Sequence, residues 1–142
     1  MSLRVVFDTS TLVSAALRAD SVPDRALRFA IITQAVYASS ESLIELGKAL
    51  EHSKFDRYVS LDSRRLFLEK FKRDSIKCSI SESHALEAIG VCRDANDDNF
   101  RALCLAANAD VLVSSDLDLL VLHPWRGVAI LTPAQFLEAV GG

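Results

Sequence analysis

The sequence predicts an α/β fold, a three-layer α/β/α arrangement around a central, mostly parallel sheet. Three observations predict it. Short apolar runs at 3–7, 35–38, 111–113 and 128–131 read as strands, and their uniform character suits burial on both faces. Stretches with helical periodicity separate them, and most open on Ser, Thr or Asp at a capping position. The alternation continues without repeats, low-complexity tracts or long linkers, so one domain over 1–142 accounts for the chain.

The first run, 3–7, is too short and too apolar for an exposed edge, which predicts a central parallel strand. It stops on Asp8, and a helix follows from Thr9 to about Asp20, with Leu12, Val13, Ala16 and Leu17 as its buried stripe. Ser21, Pro23 and Asp24 start a second helix that runs to about Gln34. After the strand at 35–38, Ser39 to Glu41 open a third helix, whose Leu43, Leu46 and Leu50 face inward and leave Glu45 off the stripe. Helical segments are expected at 52–58 and 61–73, the latter with Leu66, Phe67, Leu68 and Phe71 as its apolar side, and a strand at 76–80. Residues 81–91 admit either a loop with a helical turn or a further strand.

The run Asp94-Ala95-Asn96-Asp97-Asp98-Asn99 opens the next helix, with Phe100, Leu103, Cys104 and Ala107 inward. The strand at 111–113 leads through Ser114 and Ser115 to Asp116, a short segment follows at 117–122, and Thr132-Pro133 caps a last helix.

Net charge is −3, which lacks the basic footprint of a duplex binder. Between Lys48 and Lys77, however, nine Lys/Arg face five Asp/Glu, so this arm is locally basic. Solvated helix faces explain that as readily as contact with nucleic acid does. Cys78, Cys92 and Cys104 form no C-x-x-C pair, which predicts reduced, mostly buried thiols and not zinc or disulfides. With a strand at the start instead of a basic leader, and no apolar stretch approaching 18 residues, the expectation is a cytoplasmic protein with no membrane span.

Two strands end in the same way, on Asp8 and, past two serines, on Asp116. In an open α/β sheet, sites form outside the carboxyl ends of strands where the strand order reverses. Neighbouring strands there would bring both acids into one cleft. Taken singly, Asp97 and Asp98 are explained by capping and the helix dipole, and Glu45 by a solvated helix face. Taken together they are not. Like charges about 4 Å apart repel by ~4 kcal/mol at an effective dielectric of about 20, so clustered acids need a cation or a proton. Hard oxygen donors without a His or Cys cluster point to Mg²⁺ or Mn²⁺. His52, His84 and His123 lie away from the acidic stations in sequence, which disfavours zinc and a His-based triad. The absence of a Gly-rich phosphate loop excludes a nucleotide kinase or a dinucleotide-dependent dehydrogenase.

The motifs that carry a resemblance are VVFDTSTLVSA at 5–15, SESLIEL at 40–46 and KFDRYVS at 54–60. They continue with CRDANDDNF at 92–100, ADVLVSSDLDLL at 109–120 and ILTPAQF at 130–136. In this order they resemble the PIN-domain ribonucleases, in particular the bacterial branch of toxin components of toxin–antitoxin systems. The resemblance implies a PIN-like, Rossmann-like sheet and a divalent-metal-dependent endoribonuclease acting on single-stranded RNA. It makes Asp8, Glu45, Asp97 and Asp116 the catalytic, metal-binding acids. Ser10, Ser114, Asp118 and Asp98 become supporting residues, with Asp97 preferred over Asp98 by its spacing to the Asn108-Ala109 turn. Lys54, Arg57, Arg64 and Arg65 become candidates to hold the RNA backbone. An antitoxin protein is the implied partner, and the apolar content of the 61–71 helix permits a homodimer. One departure stands out: the family usually reads Asp-Thr-Asn at the first station, and here Ser10 replaces the Asn. Its hydroxyl has a shorter reach and one donor instead of two. This supports an alternative, a catalytically impaired PIN-like module acting through RNA or protein binding. A phosphoacceptor signalling domain fits less well, since no acidic pair follows the first strand.

Overall fold

The computed structural model of the chain describes residues 2–89 and 95–141, and the side chains of 95–97 are outside the described set. Five strands form one sheet: β1 (Arg4–Phe7), β2 (Ala35–Ala38), β3 (Ile76–Lys77), β4 (Val111–Val113) and β5 (Ala129–Leu131). Their order is β3-β2-β1-β4-β5 and every pairing among them is parallel. β1 is therefore central, as its uniformly apolar sequence predicts. The helices are α1 (Thr9–Leu17), α2 (Val22–Thr33), α3 (Ser40–Leu50), α4 (Leu61–Asp74), α5 (Glu82–Ala88), α6 (Ala95–Ala107), α7 (Leu117–Leu120) and α8 (Pro133–Val140). None of the described helices is long and apolar enough to cross a membrane.

The layers follow from the two-residue alternation of strand side chains. Val5, Phe7, Val111 and Val113 enter one cluster with Leu12, Leu27, Leu46 and Phe136, on the face covered by α1, α2, α3 and α8. Val6, Leu112 and Ile130 enter a second cluster with Phe100, Leu103 and Leu119 on the opposite face. Fully burying a side chain of this size contributes about 1.5–3 kcal/mol, so a polar residue at either set would unbalance the sheet. The Phe7 and Phe136 rings meet edge to face at 6.1 Å, joining the centre of the sheet to the last helix.

The structure departs from the sequence reading in three places and decides between its alternatives in a fourth, 81–91. Only Ser53–Phe55 of the 52–58 segment is helical, as a 3-10 turn. The strand expected over 76–80 pairs only at Ile76–Lys77, although Cys78 N still donates to Ala38 O at 2.8 Å. Within 81–91 a helix forms, α5, capped by Ser81, while residues 90 and 91 lie outside the described set. On α4, Leu66 is 55% exposed, and the inward stripe is Arg64, Phe67, Leu68 and Phe71. These lie at i, i+3, i+4 and i+7, the helical spacing of one face. An arginine occupies a position that the pattern reserves for a hydrophobe.

Candidate functional site

β2 and β4 flank β1 on opposite sides, so the strand order reverses at β1 and a crevice opens beyond its carboxyl end. Phe7 pairs with Val113 in the ladder, which sets the next residues, Asp8 and Ser114, side by side. Asp8 caps α1: its Oδ1 accepts from Thr11 N at 2.9 Å and from Ser10 Oγ at 3.4 Å. Its Oδ2 accepts a short hydrogen bond from Ser114 Oγ, and Ser114 Oγ in turn accepts from Asp116 N at 2.9 Å. One buried serine thus ties the two strand-end acids together. Asp116 caps α7, its Oδ1 accepting from Asp118 N at 2.9 Å. Glu45 arrives from the second turn of α3, where Thr9 Oγ1 donates to its Oε2 at 2.9 Å.

Asp8, Glu45 and Asp116 all line one cavity of about 480 Å³. Asp8 is only 3% exposed. Burial pushes its carboxyl above the usual carboxylate value, against the opposing pull of the hydrogen bonds from Ser114, Thr11 and Ser10. Because the folded-state value is raised, Asp8 supports the fold fully below its unfolded value, and that support is lost as pH rises through the folded value. Ionising the carboxyl without metal therefore costs stability. Asp8→Asn is expected to stabilise the metal-free protein at pH 7 by about 1 kcal/mol, an ordinary single-substitution scale. The gain should shrink as pH falls from the raised folded value towards the unfolded one. Chemical denaturation at both pH values in EDTA checks this, and an Asp8→Asn loss of stability at pH 7 would mean that its hydrogen bonds outweigh its desolvation.

The donor chemistry fits a hard divalent cation, since carboxylates and hydroxyls supply oxygen alone. Among the described residues no three His, Cys, Asp or Glu side chains converge closely enough to form a complete metal cage. Mg²⁺ commonly uses one or two carboxylates and keeps several waters, so carboxylates spread around a cavity suit it better than a closed cage would. The fourth acid expected from the sequence, Asp97, lies in the first turn of α6, but its side chain is outside the described residues. Phe100, one turn further on, lines the cavity. Asp98 pairs instead with Arg101, a fully buried guanidinium that also donates to Ala88 O and lies over the Trp125 ring at 5.0 Å.

The basic candidates divide. Lys54 lines the cavity with its ammonium 5.1 Å from the centroid of Phe55, and exposed Arg57 lies 5.4 Å over Tyr58. Exposed Arg65 pairs with Glu51 at 3.1 Å. Arg64 corrects the sequence expectation, because it is 0% exposed and cannot reach a ligand. Its Nη1 donates to Leu50 O at 2.6 Å and His52 O at 3.0 Å, Nε donates to Val59 O at 3.2 Å, and Nη2 pairs with Asp56. The guanidinium holds the 51–60 loop from beneath. Sequence reading also passed over His52 and Phe55, which line the cavity beside Lys54, and over the Thr9–Glu45 bond. No helical spacing signalled them, because α3 ends at Leu50 and His52 has the extended backbone that caps the 3-10 turn.

Comparison with known proteins agrees with this fold. The PIN domain family model matches residues 4–118. The uncharacterised protein MJ1680 of Methanocaldococcus jannaschii is 24% identical over 97% of this chain and 92% of its own length. A chain of VapBC2 from Rickettsia felis, bound to a DNA fragment from its promoter, superposes with a TM-score of 0.65 at 17% identity, covering 90% of this chain and 97% of that one. PAE2754 from Pyrobaculum aerophilum superposes with a TM-score of 0.67 at 17% identity, covering 99% and 91%.

Proposed function

Because the chain belongs to the PIN-domain family, a nuclease family, we propose that it is a Mg²⁺- or Mn²⁺-dependent endoribonuclease hydrolysing single-stranded RNA. The observation that carries this reading is the meeting of Asp8, Glu45 and Asp116, from three separate elements, on one cavity at the switch point of the sheet. These three, with Asp97, would hold the ion. When bound, such an ion would supply activation of a water and neutralisation of charge at the scissile phosphate. The remaining chemistry belongs to the chain. Ser114 orients the Asp8 carboxylate and the Asp116 backbone together, Thr9 orients Glu45, and the Asp118 N–H fixes the Asp116 rotamer. Such supporting bonds typically carry 10–100-fold in metal affinity or activity.

The likeness to VapBC2 supports a toxin role in a toxin–antitoxin pair, with an antitoxin protein as partner. The second reading, a module that binds RNA or protein without cutting, draws on Ser10, whose hydroxyl reaches Asp8 Oδ1 only at 3.4 Å. Incubation of wild type with single-stranded RNA separates the two. Cleavage with Mn²⁺ that EDTA stops supports the enzyme. RNA binding with no cleavage at any Mn²⁺ concentration favours the module.

A further inference from the structure

The cavity is larger than its carboxylates require. Its volume of about 480 Å³ extends past the acids to apolar, aromatic and basic lining residues. The remainder has a direction. α1 and α3 both start at the carboxyl ends of neighbouring parallel strands, and the Thr9–Glu45 bond ties them near the acids. From that tie the cavity follows α1 past Val13 to Leu17, about 12 Å of helix, and follows α3 past Ala49 to His52. Its far end carries no acid among the described lining residues: the wall there is Leu17, Ala49, His52, Lys54 and Phe55.

This wall combines an aromatic ring with a cation on a flexible stem, the pairing that single-stranded nucleic-acid sites use. Lys54 Nζ rests over Phe55, from where it can swing to a phosphate and uncover the ring. His52 Nδ1 accepts from Lys54 N at 3.1 Å, which ties the imidazole to the start of the 3-10 turn. The wall is also preorganised, because Arg64 holds the carbonyls of Leu50, His52 and Val59 from inside the fold.

We propose that the far end of the cavity is a nucleobase subsite, in which an unpaired base seats against Phe55 while Lys54 binds the adjoining phosphate. This deepens the ribonuclease reading and rests on it for the identity of the polymer. Arg64 acts as a positioning residue that shapes the subsite without touching the ligand.

Adenosine 5′-monophosphate and ribose 5-phosphate, titrated separately into the metal-free protein and followed by NMR, test the base contribution directly. The nucleotide should bind at least about tenfold more tightly than the sugar phosphate, the scale of one base–aromatic stack. Phe55→Ala should abolish that preference, Phe55→Trp should keep it, and Lys54→Ala should weaken both ligands alike. Equal affinities in wild type, or a preference that survives Phe55→Ala, overturn the subsite. The titration needs neither metal nor turnover, so it fails independently of the nuclease reading. Base preference without Mn²⁺-dependent cleavage strikes the nuclease reading alone, and cleavage without base preference strikes the subsite alone.

Discussion

Asp116→Asn is expected to cut Mn²⁺-dependent cleavage of single-stranded RNA by at least about 100-fold, the upper end of what a supporting bond alone carries. The substitution is close to a pure change of charge. Asn keeps an oxygen to accept the Asp118 N–H, and the bond from the Asp116 backbone to Ser114 does not involve the side chain. Half-buried Asp116 sits at the mouth of the cavity, so the loss of one carboxylate there leaves the core untouched. Activity should fall while the melting temperature in EDTA stays within a few degrees of wild type. Asp8→Asn should abolish cleavage as well, yet stabilise the metal-free fold. This opposite movement of activity and stability distinguishes a ligand from a structural cap. Variants that cleave as well as wild type would remove both acids from the chemistry.

Arg64→Ala should produce the largest loss of stability, ~3 kcal/mol, because one buried and two part-buried carbonyl groups lose their donor and a cavity opens beneath the loop. In a domain of this size that corresponds to a fall in melting temperature of about 10 °C. The Asp56 partner is 63% exposed and regains water, so the cost comes from Leu50 O, His52 O and Val59 O more than from the ion pair. Arg64→Lys should recover only part of it, since one ammonium cannot span acceptors distributed around a planar fork. Arg65→Ala provides the contrast: its pair with Glu51 is exposed on both sides, and its removal should cost under ~1 kcal/mol. Urea midpoints of the three variants measure this order. Equal midpoints for Arg64→Ala and Arg65→Ala would contradict it.

The strand ends were the most legible part of the chain. Val5-Val6-Phe7 and Val111-Leu112-Val113 are apolar on both faces, which demands a covered central position, and each run delivers an acid just beyond it. Glu45 was legible only through its company, because nothing on α3 alone separates a solvent-facing acid from one bonded to Thr9. Arg64 was misread for a physical reason. A cation next to another cation looks like surface, and only the folded 51–60 loop reveals inward-turned carbonyls that a guanidinium can collect. Asp98 shows the same limit, since its pairing with Arg101 depends on a buried arginine one turn away. The expected strand at 76–80 failed beyond Lys77 because an edge strand has one neighbour, and β2 itself ends at Ala38.

The central claim is that Asp8, Glu45 and Asp116 share one cation site. Mn²⁺ binding followed by electron paramagnetic resonance tests it without reliance on any RNA. Wild type should take up Mn²⁺, and Asp8→Asn, Glu45→Gln and Asp116→Asn should each weaken that uptake at least about tenfold. Absence of bound Mn²⁺ in wild type, or uptake that all three variants retain, would contradict the claim.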